Sequence, residues 1–238
     1  MRILIACMPK SGSTFPGSLI GGLPNFEMVP WVPAFGRREQ ELSEAHLASY
    51  DGRLNQVSQH HVRASSYTID LVNKYRISTP VLVRNIFDCA VSLANHIERE
   101  SFEFPCAYFD EHIFDISYEH RLSAVVALAI PWYIHFYVSW WNTAPEKVIT
   151  YEDVVLGGRD AHMHFLRSVG LDPSPEEYEA ALSYADLINE RLNVGVSGRG
   201  RETLDETDVD NILKLCRYYP HVDFTPIGVT PDLLARHG

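Results

Sequence analysis

The feature that most constrains the fold lies at the N-terminus. Ile3-Leu4-Ile5-Ala6-Cys7 is a short apolar run, and Met8-Pro9-Lys10-Ser11-Gly12-Ser13-Thr14-Phe15 follows it at once. The first segment reads as a buried strand. The second reads as a tight turn that opens a helix. A strand that is apolar at successive positions is covered on both faces, which is the habit of parallel sheets. The same pattern returns along the chain. Gln56–His60 reads as a short strand and Tyr67–Tyr75 as a helix. Pro80-Val81-Leu82-Val83 is a second buried-type strand, ending at Arg84-Asn85, and Phe87–Glu100 follows as a helix. Lys147-Val148-Ile149-Thr150-Tyr151 is a third such strand. Arg38–Tyr50 is charged and helix-favouring. Ser101–Tyr118 is irregular, aromatic and acidic. The remaining C-terminal part reads as mostly helical, broken by a loop at Gly195–Gly200. Strands alternating with helices predict an α/β fold with a mainly parallel sheet. No Gly/Ser-rich linker or internal repeat divides the 238 residues, so 1–238 is expected to form one domain.

Leu122 to Trp141 carries no Asp, Glu, Lys or Arg, and ~20 such residues suffice to cross a bilayer. Pro131 and His135 sit inside it, and its aromatics are spread through the second half instead of clustering at the ends. A buried helix pair, with Pro131 in the first turn of the second helix, accounts for it better. No membrane span is expected. The N-terminal apolar run is shorter than a signal-peptide core, and a cytoplasmic location is expected. Cys7, Cys89, Cys106 and Cys216 are scattered and form no CxxC, which argues against a disulfide framework or a zinc site. His162 and His164 have no third ligand nearby, so no metal is expected.

In open parallel sheets, ligands bind beyond the carboxyl ends of the strands, and the informative residues fall there. The turn after the first strand has the parts of an anion cradle. Unpaired N–H groups at a helix start point outward, and the helix dipole adds positive potential. Gly12 permits a close backbone approach, Ser11, Ser13 and Thr14 add hydroxyls, and Lys10 adds a charge. It is not a Walker A loop, because the lysine precedes the only glycine. Arg84 ends the second buried-type strand, an expensive place for an idle charge. There it can grip a phosphate with paired hydrogen bonds or pair with Asp88. Ser92 lies two helical turns further on.

Together, Pro9–Phe15 and Arg84–Ser92 resemble the sulfotransferases that use 3′-phosphoadenosine 5′-phosphosulfate (PAPS). The first segment is similar to that family's 5′-phosphosulfate loop, with Phe15 in place of an aromatic that stacks on adenine. The second is similar to its 3′-phosphate element, in which an arginine and a serine both contact the phosphate. Trp132–Trp140 and Val148–Asp153 resemble the family's aromatic helix and its strand-Tyr-Glu-Asp segment. Ser197-Gly198-Arg199-Gly200-Arg201 resembles the loop that closes over the 3′-phosphate. The Arg-Lys-Gly triplet of that loop is absent here, and Arg199 and Arg201 both remain candidates.

The resemblance implies a three-layer, P-loop-like sulfotransferase fold. It implies a PAPS donor bound by Lys10, Ser11, Gly12, Ser13, Thr14, Phe15, Arg84, Ser92, Arg199, Gly200 and Arg201, with the bisphosphate PAP as product and no metal. It also implies a histidine base. Gln59-His60-His61-Val62 occupies the place of the family's Lys-Thr-His-Leu run, which puts His61 at the base position and Gln59 at the lysine. His60 is the nearest rival. Lys10 would stabilise the charge on the leaving oxygen. A nucleotide kinase or NTPase would need the missing Walker lysine. A third reading is a non-catalytic nucleotide-binding domain that kept the fold.

Charge bears on the partner. Lys plus Arg is 20 and Asp plus Glu is 31, for a net charge of −11, which excludes a broad nucleic-acid-binding surface. The acidic 98–111 segment argues against a long acidic glycan. The aromatics Phe102, Phe104, Tyr108, Phe109 and Phe114 either line an apolar acceptor pocket or cover the core. The acceptor is expected to be a small hydroxylated molecule. The sequence leaves the oligomeric state open.

Overall fold

The computed structural model describes residues 1–34, 37–50, 52–188 and 198–236. In chain order the strands are β1 (Arg2–Cys7), β2 (Phe26–Met28), β3 (Asn55–His60), β4 (Val81–Val83) and β5 (Val148–Thr150). The helices are α1 (Thr14–Gly21), α2 (Glu44–Ala48), α3 (Ser66–Lys74), α4 (Ile86–Arg99), α5 (Tyr118–Leu128), α6 (Ile130–Thr143), α7 (Tyr151–Val154), α8 (Gly158–Ser168), α9 (Pro175–Ile188), α10 (Gly200–Thr203), α11 (Glu206–Arg217) and α12 (Pro231–Arg236). The five strands form one sheet in the order β2-β3-β1-β4-β5, and every pairing is parallel. The expected α/β architecture with a parallel sheet is therefore the observed one.

The sheet is central because β1 is apolar at every buried position. Ile3, Leu4, Ile5, Ala6 and Cys7 are all fully buried. Successive side chains of a strand face opposite sides, and here they feed two separate cores. Leu4, Ala6 and Met8 join the larger core with α4, α5, α6 and α11. Ile3, Ile5 and Cys7 join the smaller one with α1, α8 and α9. Helices thus cover both faces of the sheet, in three layers.

The apolar 122–141 run is a helix pair, as its proline and spread of aromatics predict. It is long and apolar enough to cross a membrane by length and composition. Here Leu122, Val125, Val126, Ile130, Tyr133, Phe136, Tyr137 and Trp140 are packed into the larger core. Pro131 sits at the start of α6, where its missing N–H costs nothing.

Two elements differ from expectation. The stretch 38–50 is helical only over Glu44–Ala48. Residues just before it are drawn out as an extended cover by their side-chain bonds. Glu39 accepts from Trp132 Nε1 at 2.9 Å and from Arg63 Nε at 2.6 Å, and Gln40 Oε1 accepts from the His61 amide at 2.7 Å. The edge strand β2 carries no sequence signal. It is a short, partly exposed Phe-Glu-Met, held by pairing to β3 and not by its own pattern.

The register aligns the strand ends. Ala6 pairs with His60, Cys7 with Leu82, and Val83 with Thr150. The residues that follow these strands are Met8, His61, Arg84 and Tyr151, and all four emerge along one edge. Chain order reverses at β1, which makes this edge the switch point at which open parallel sheets bind ligands.

Candidate active site at the carboxyl edge of the sheet

The turn after β1 is a backbone cradle. Lys10 and Gly12 both take left-handed conformations, with φ of 64° and 72°. Left-handed geometry is unusual for lysine. Conformations of this kind turn successive N–H groups to one side, as in an anion-binding nest. The Gly12, Ser13 and Thr14 amides have no acceptor among the described residues. Gly12 is required on a second count. A Cβ there would lie 2.6 Å from the Tyr151 ring.

Tyr151 ties the cradle to β4. The Arg84 guanidinium carbon lies 4.3 Å from the centre of its ring, a cation–π contact. Arg84 Nη1 also donates to the Lys10 carbonyl at 3.1 Å. Its Nε is buried with no partner, an unmet donor at the edge where the cradle amides gather. Lys10 is half-buried, and burial lowers its pKa, with nearby Arg84 adding to the effect against the opposing pull of Glu100. No carboxylate forms an ion pair with Lys10 among the described residues. A cation with no ion-pair partner, an unmet guanidinium N–H and unpaired amides along one sheet edge are the components of a polyanion site.

Two residues expected in this cradle turn elsewhere. The Ser11 hydroxyl is fully buried and donates to the Met8 carbonyl at 2.6 Å, so its proton is spent inside the turn. Phe15 is only 5% exposed, packed in the smaller core with its ring 4.9 Å from that of His162. It is sealed from any adenine, because the first turn of α1 points it inward. Ser13 accepts from Gln59 Nε2 at 2.7 Å. Ser13 is itself only 5% exposed, and its side chain also hydrogen-bonds the Cys7 thiol. Gln59, which stands at the lysine position, therefore orients the cradle without adding charge. Thr14 is exposed and Ser92 half-buried.

The adjacent histidines differ completely. His60 is 7% exposed, and its Nε2 accepts from the Trp31 amide at 2.9 Å. Burial chiefly, with His61 and His46 nearby, depresses its pKa to about 3. His61 Nδ1 lies 2.9 Å from the Cys7 carbonyl. A carbonyl only accepts, so Nδ1 carries the proton and the neutral ring leaves Nε2 as an open lone pair. Burial lowers the His61 pKa as well, against the opposing pull of that carbonyl. Cys7 itself is buried and its thiol is pushed up to about 12, so it stays protonated beneath the histidine.

The C-terminal candidates reach the same neighbourhood through α4. Asp88, in the first turn of α4, accepts from the Gly198 amide through Oδ2 and from the Gly200 amide through Oδ1, both at 2.7 Å. Gly200 lies directly on α4, where a Cβ would meet the Phe87 carbonyl carbon at 2.3 Å. Arg199 and Arg201 are exposed and have no ion-pair partner among the described residues. Ser197, the first residue of this segment, lies outside the described residues.

The aromatic stretch divides. Phe104 and Phe109 are buried in the larger core. Phe102 and Tyr108 hold the Arg37 guanidinium at 4.8 and 5.1 Å from their ring centres. These residues mix core cover with a surface clamp. No group of three or more potential metal-binding side chains occurs among the described residues.

Solved structures share this architecture. A mouse sulfotransferase, SULT7A1, complexed with PAP, matches with a TM-score of 0.67 and 14% identity over 100% of this chain and 89% of that one. The chain has the sulfotransferase fold. Retinol dehydratase with androsterone and PAP matches at a TM-score of 0.58 and 12% identity, over 93% of this chain and 84% of that one. The same protein with retinol and PAP matches at 0.59 and 12%, over 92% and 81%. No family model and no curated protein matches the sequence. At such identities the sulfotransferase fold is carried by the strand order and the edge of the sheet, not by overall residue similarity.

Proposed function

We propose that the chain is a PAPS-dependent sulfotransferase acting on the hydroxyl of a small acceptor. The observation that carries this reading is the His61 ring, held by the Cys7 carbonyl with Nε2 open, one strand away from the Lys10–Thr14 cradle. A base and an anion site on adjacent strand ends are what sulfuryl transfer to a hydroxyl requires. The ligands of the fold relatives agree with it, PAP in each case, with androsterone or retinol as second ligand in retinol dehydratase.

The roles follow from position. The Gly12, Ser13 and Thr14 amides and the Ser13 and Thr14 hydroxyls hold the 5′-phosphosulfate end. Arg84 and Ser92, with an arginine from 199–201, hold the 3′-phosphate. The unpartnered Arg84 Nε and the unpaired Gly12, Ser13 and Thr14 amides suit such a polyanion. His61 Nε2 takes the acceptor proton as the acceptor oxygen bonds to sulfur and the bond from sulfur to the 5′-phosphate oxygen breaks. Lys10 and the cradle amides stabilise charge on that departing oxygen. Ser11 and Phe15 act by shaping the turn, not by touching the nucleotide. The bond from the Trp31 amide and the depressed pKa of His60 favour His61 over it as the base. We also read 1–238 as a single cytoplasmic domain.

The test is transfer from PAPS to a panel of phenols, sterols and alcohols, alongside calorimetry with PAP and ATP. PAP should bind and ATP should not. His61→Ala should lower turnover by ~10²–10⁴-fold, the usual worth of a positioned base, and leave PAP affinity nearly unchanged. Binding of ATP without PAP would overturn the reading, as would full turnover in the alanine variant.

A further inference from the structure

Asp88 presents a puzzle on the reading above. A carboxylate is only 5% exposed in the first turn of α4, on the helix that follows Arg84 and carries Ser92. An anion close to a phosphate site repels the ligand, and burying it costs free energy unless its oxygens are satisfied.

Its hydrogen bonds supply the reason. Among the described residues, Oδ2 takes the Gly198 amide and Oδ1 the Gly200 amide, both at 2.7 Å. Those amides flank Arg199. Gly198 has φ +91°, a left-handed conformation that glycine adopts freely, and it allows the two N–H groups to converge on one carboxylate. Gly200 cannot carry a side chain without striking the Phe87–Asp88 backbone, at 2.3 to 2.4 Å. The backbone around Arg199 is thus fixed on α4 at two points. Asp88 and Ser92 are four residues apart, so they share one helix face a turn from each other. The fixed loop therefore meets the first turn of α4, one turn before Ser92.

We propose that Asp88 is a positioning residue that seats Arg199 beside Ser92 and so sets the preference for nucleotides carrying a 3′-phosphate. This rests on the sulfotransferase reading. Arg199 is assigned in preference to Arg201 because only Arg199 lies between the two bound amides. Asp88 makes no contact with the nucleotide. Its effect is to place a charge that does, and its two accepted bonds offset its own negative charge locally.

The experiment compares affinities for adenosine 3′,5′-bisphosphate and adenosine 5′-monophosphate by calorimetry on the full chain. The unaltered chain should prefer the bisphosphate. Asp88→Asn replaces one accepting oxygen by a donor, and hydrogen bonds to a charged group are worth enough that the preference should fall by about tenfold or more. The monophosphate affinity should barely move. Adding Arg199→Ala to Asp88→Asn should cost little more, since both act on one interaction. Equal weakening of both nucleotides would mark Asp88 as merely structural and overturn the proposal, as would full additivity with Arg199→Ala. A chain with no preference for the bisphosphate would instead bring down the sulfotransferase reading, and this proposal with it. If Asp88→Asn does not fold, hydrogen exchange on the unaltered chain decides. The Gly198 and Gly200 amides should exchange slowly without nucleotide, and exchange at the open-loop rate would overturn the proposal.

Discussion

Residues 8–14 and residues 198–201 both bring backbone amides and cationic side chains to the carboxyl edge of the sheet, but they are secured differently. The first segment grows directly out of the buried Ile3–Cys7 stretch of β1 and is covered by the Tyr151 ring. Arg84 grips its Lys10 carbonyl. The second has no strand beneath it. Its place depends on one carboxylate and one glycine contact on α4. The N-terminal cradle is therefore preorganised by packing, and its amides need little ordering when a ligand arrives. The C-terminal segment is attached by a few polar bonds and its arginines are exposed. On the proposed function, the first region supplies most of the affinity and the second adjusts selectivity.

The largest effect expected from that contrast is at Arg84. Arg84→Ala removes the charge proposed to meet the 3′-phosphate and releases the Lys10 carbonyl, and PAP affinity should fall by ~100-fold or more. That is the scale of one or two charge-assisted hydrogen bonds. Calorimetry measures it, and a loss of only a few-fold would break the contrast.

Next comes Gly12→Ala, which tests packing. Its Cβ would strike the Tyr151 ring in a left-handed backbone conformation, and the chain should lose ~2–4 kcal/mol of stability from overpacking and strain together. Thermal or denaturant unfolding reads this directly.

The pH dependence is intermediate in size. Burial lowers the His61 pKa from 6.5, so the base stays neutral down through ordinary histidine pH. Turnover should fall only on an acid limb below that value. Donor binding should weaken at the other end, as pH rises through the lowered Lys10 pKa, below 10.5. His60 adds a stability term. Its pKa is depressed to about 3 in the folded state, so the unfolded chain binds the proton first. Stability is full above about 6.5 and drains as pH falls towards about 3. Unfolding midpoints and initial rates across pH separate the two histidines.

The smallest change is expected at Arg201. Arg201→Ala should alter PAP affinity by no more than about threefold, in keeping with an exposed charge in screened solvent. A loss matching that of Arg84 would place both arginines on the phosphate and sharpen the comparison in the opposite direction.

The strands were legible wherever apolar residues ran together. The helices after β1 and β4 followed from turn residues and periodicity. The edge strand β2 was not legible, because its short Phe-Glu-Met is held by a neighbour. The helix expected over 38–50 shrank because Glu39 and Gln40 bond to Trp132, Arg63 and His61. Sequence position placed Lys10, Gly12, His61 and Arg84 on one sheet edge. It misjudged Phe15 and Ser11, which α1 and the turn face inward. It named Asp88 only as a partner for Arg84 and Tyr151 only as part of a matching segment, and it missed Gln40, because the partners of all three are long-range and leave no local pattern. For Asp88, the one available signal was a carboxylate four residues after the arginine that reads as phosphate-binding.

The Asp88 link has a consequence for biogenesis. It joins positions 110 and 112 residues apart in the chain, while Arg84 meets the Lys10 carbonyl across 74. Loops of that length close late, after local elements have formed. During synthesis the N-terminal cradle can assemble once β4 has emerged from the ribosome. The Arg199 side must wait for the chain beyond residue 200. On the proposed function, a nascent chain thus acquires its anion cradle before the segment assigned to discrimination.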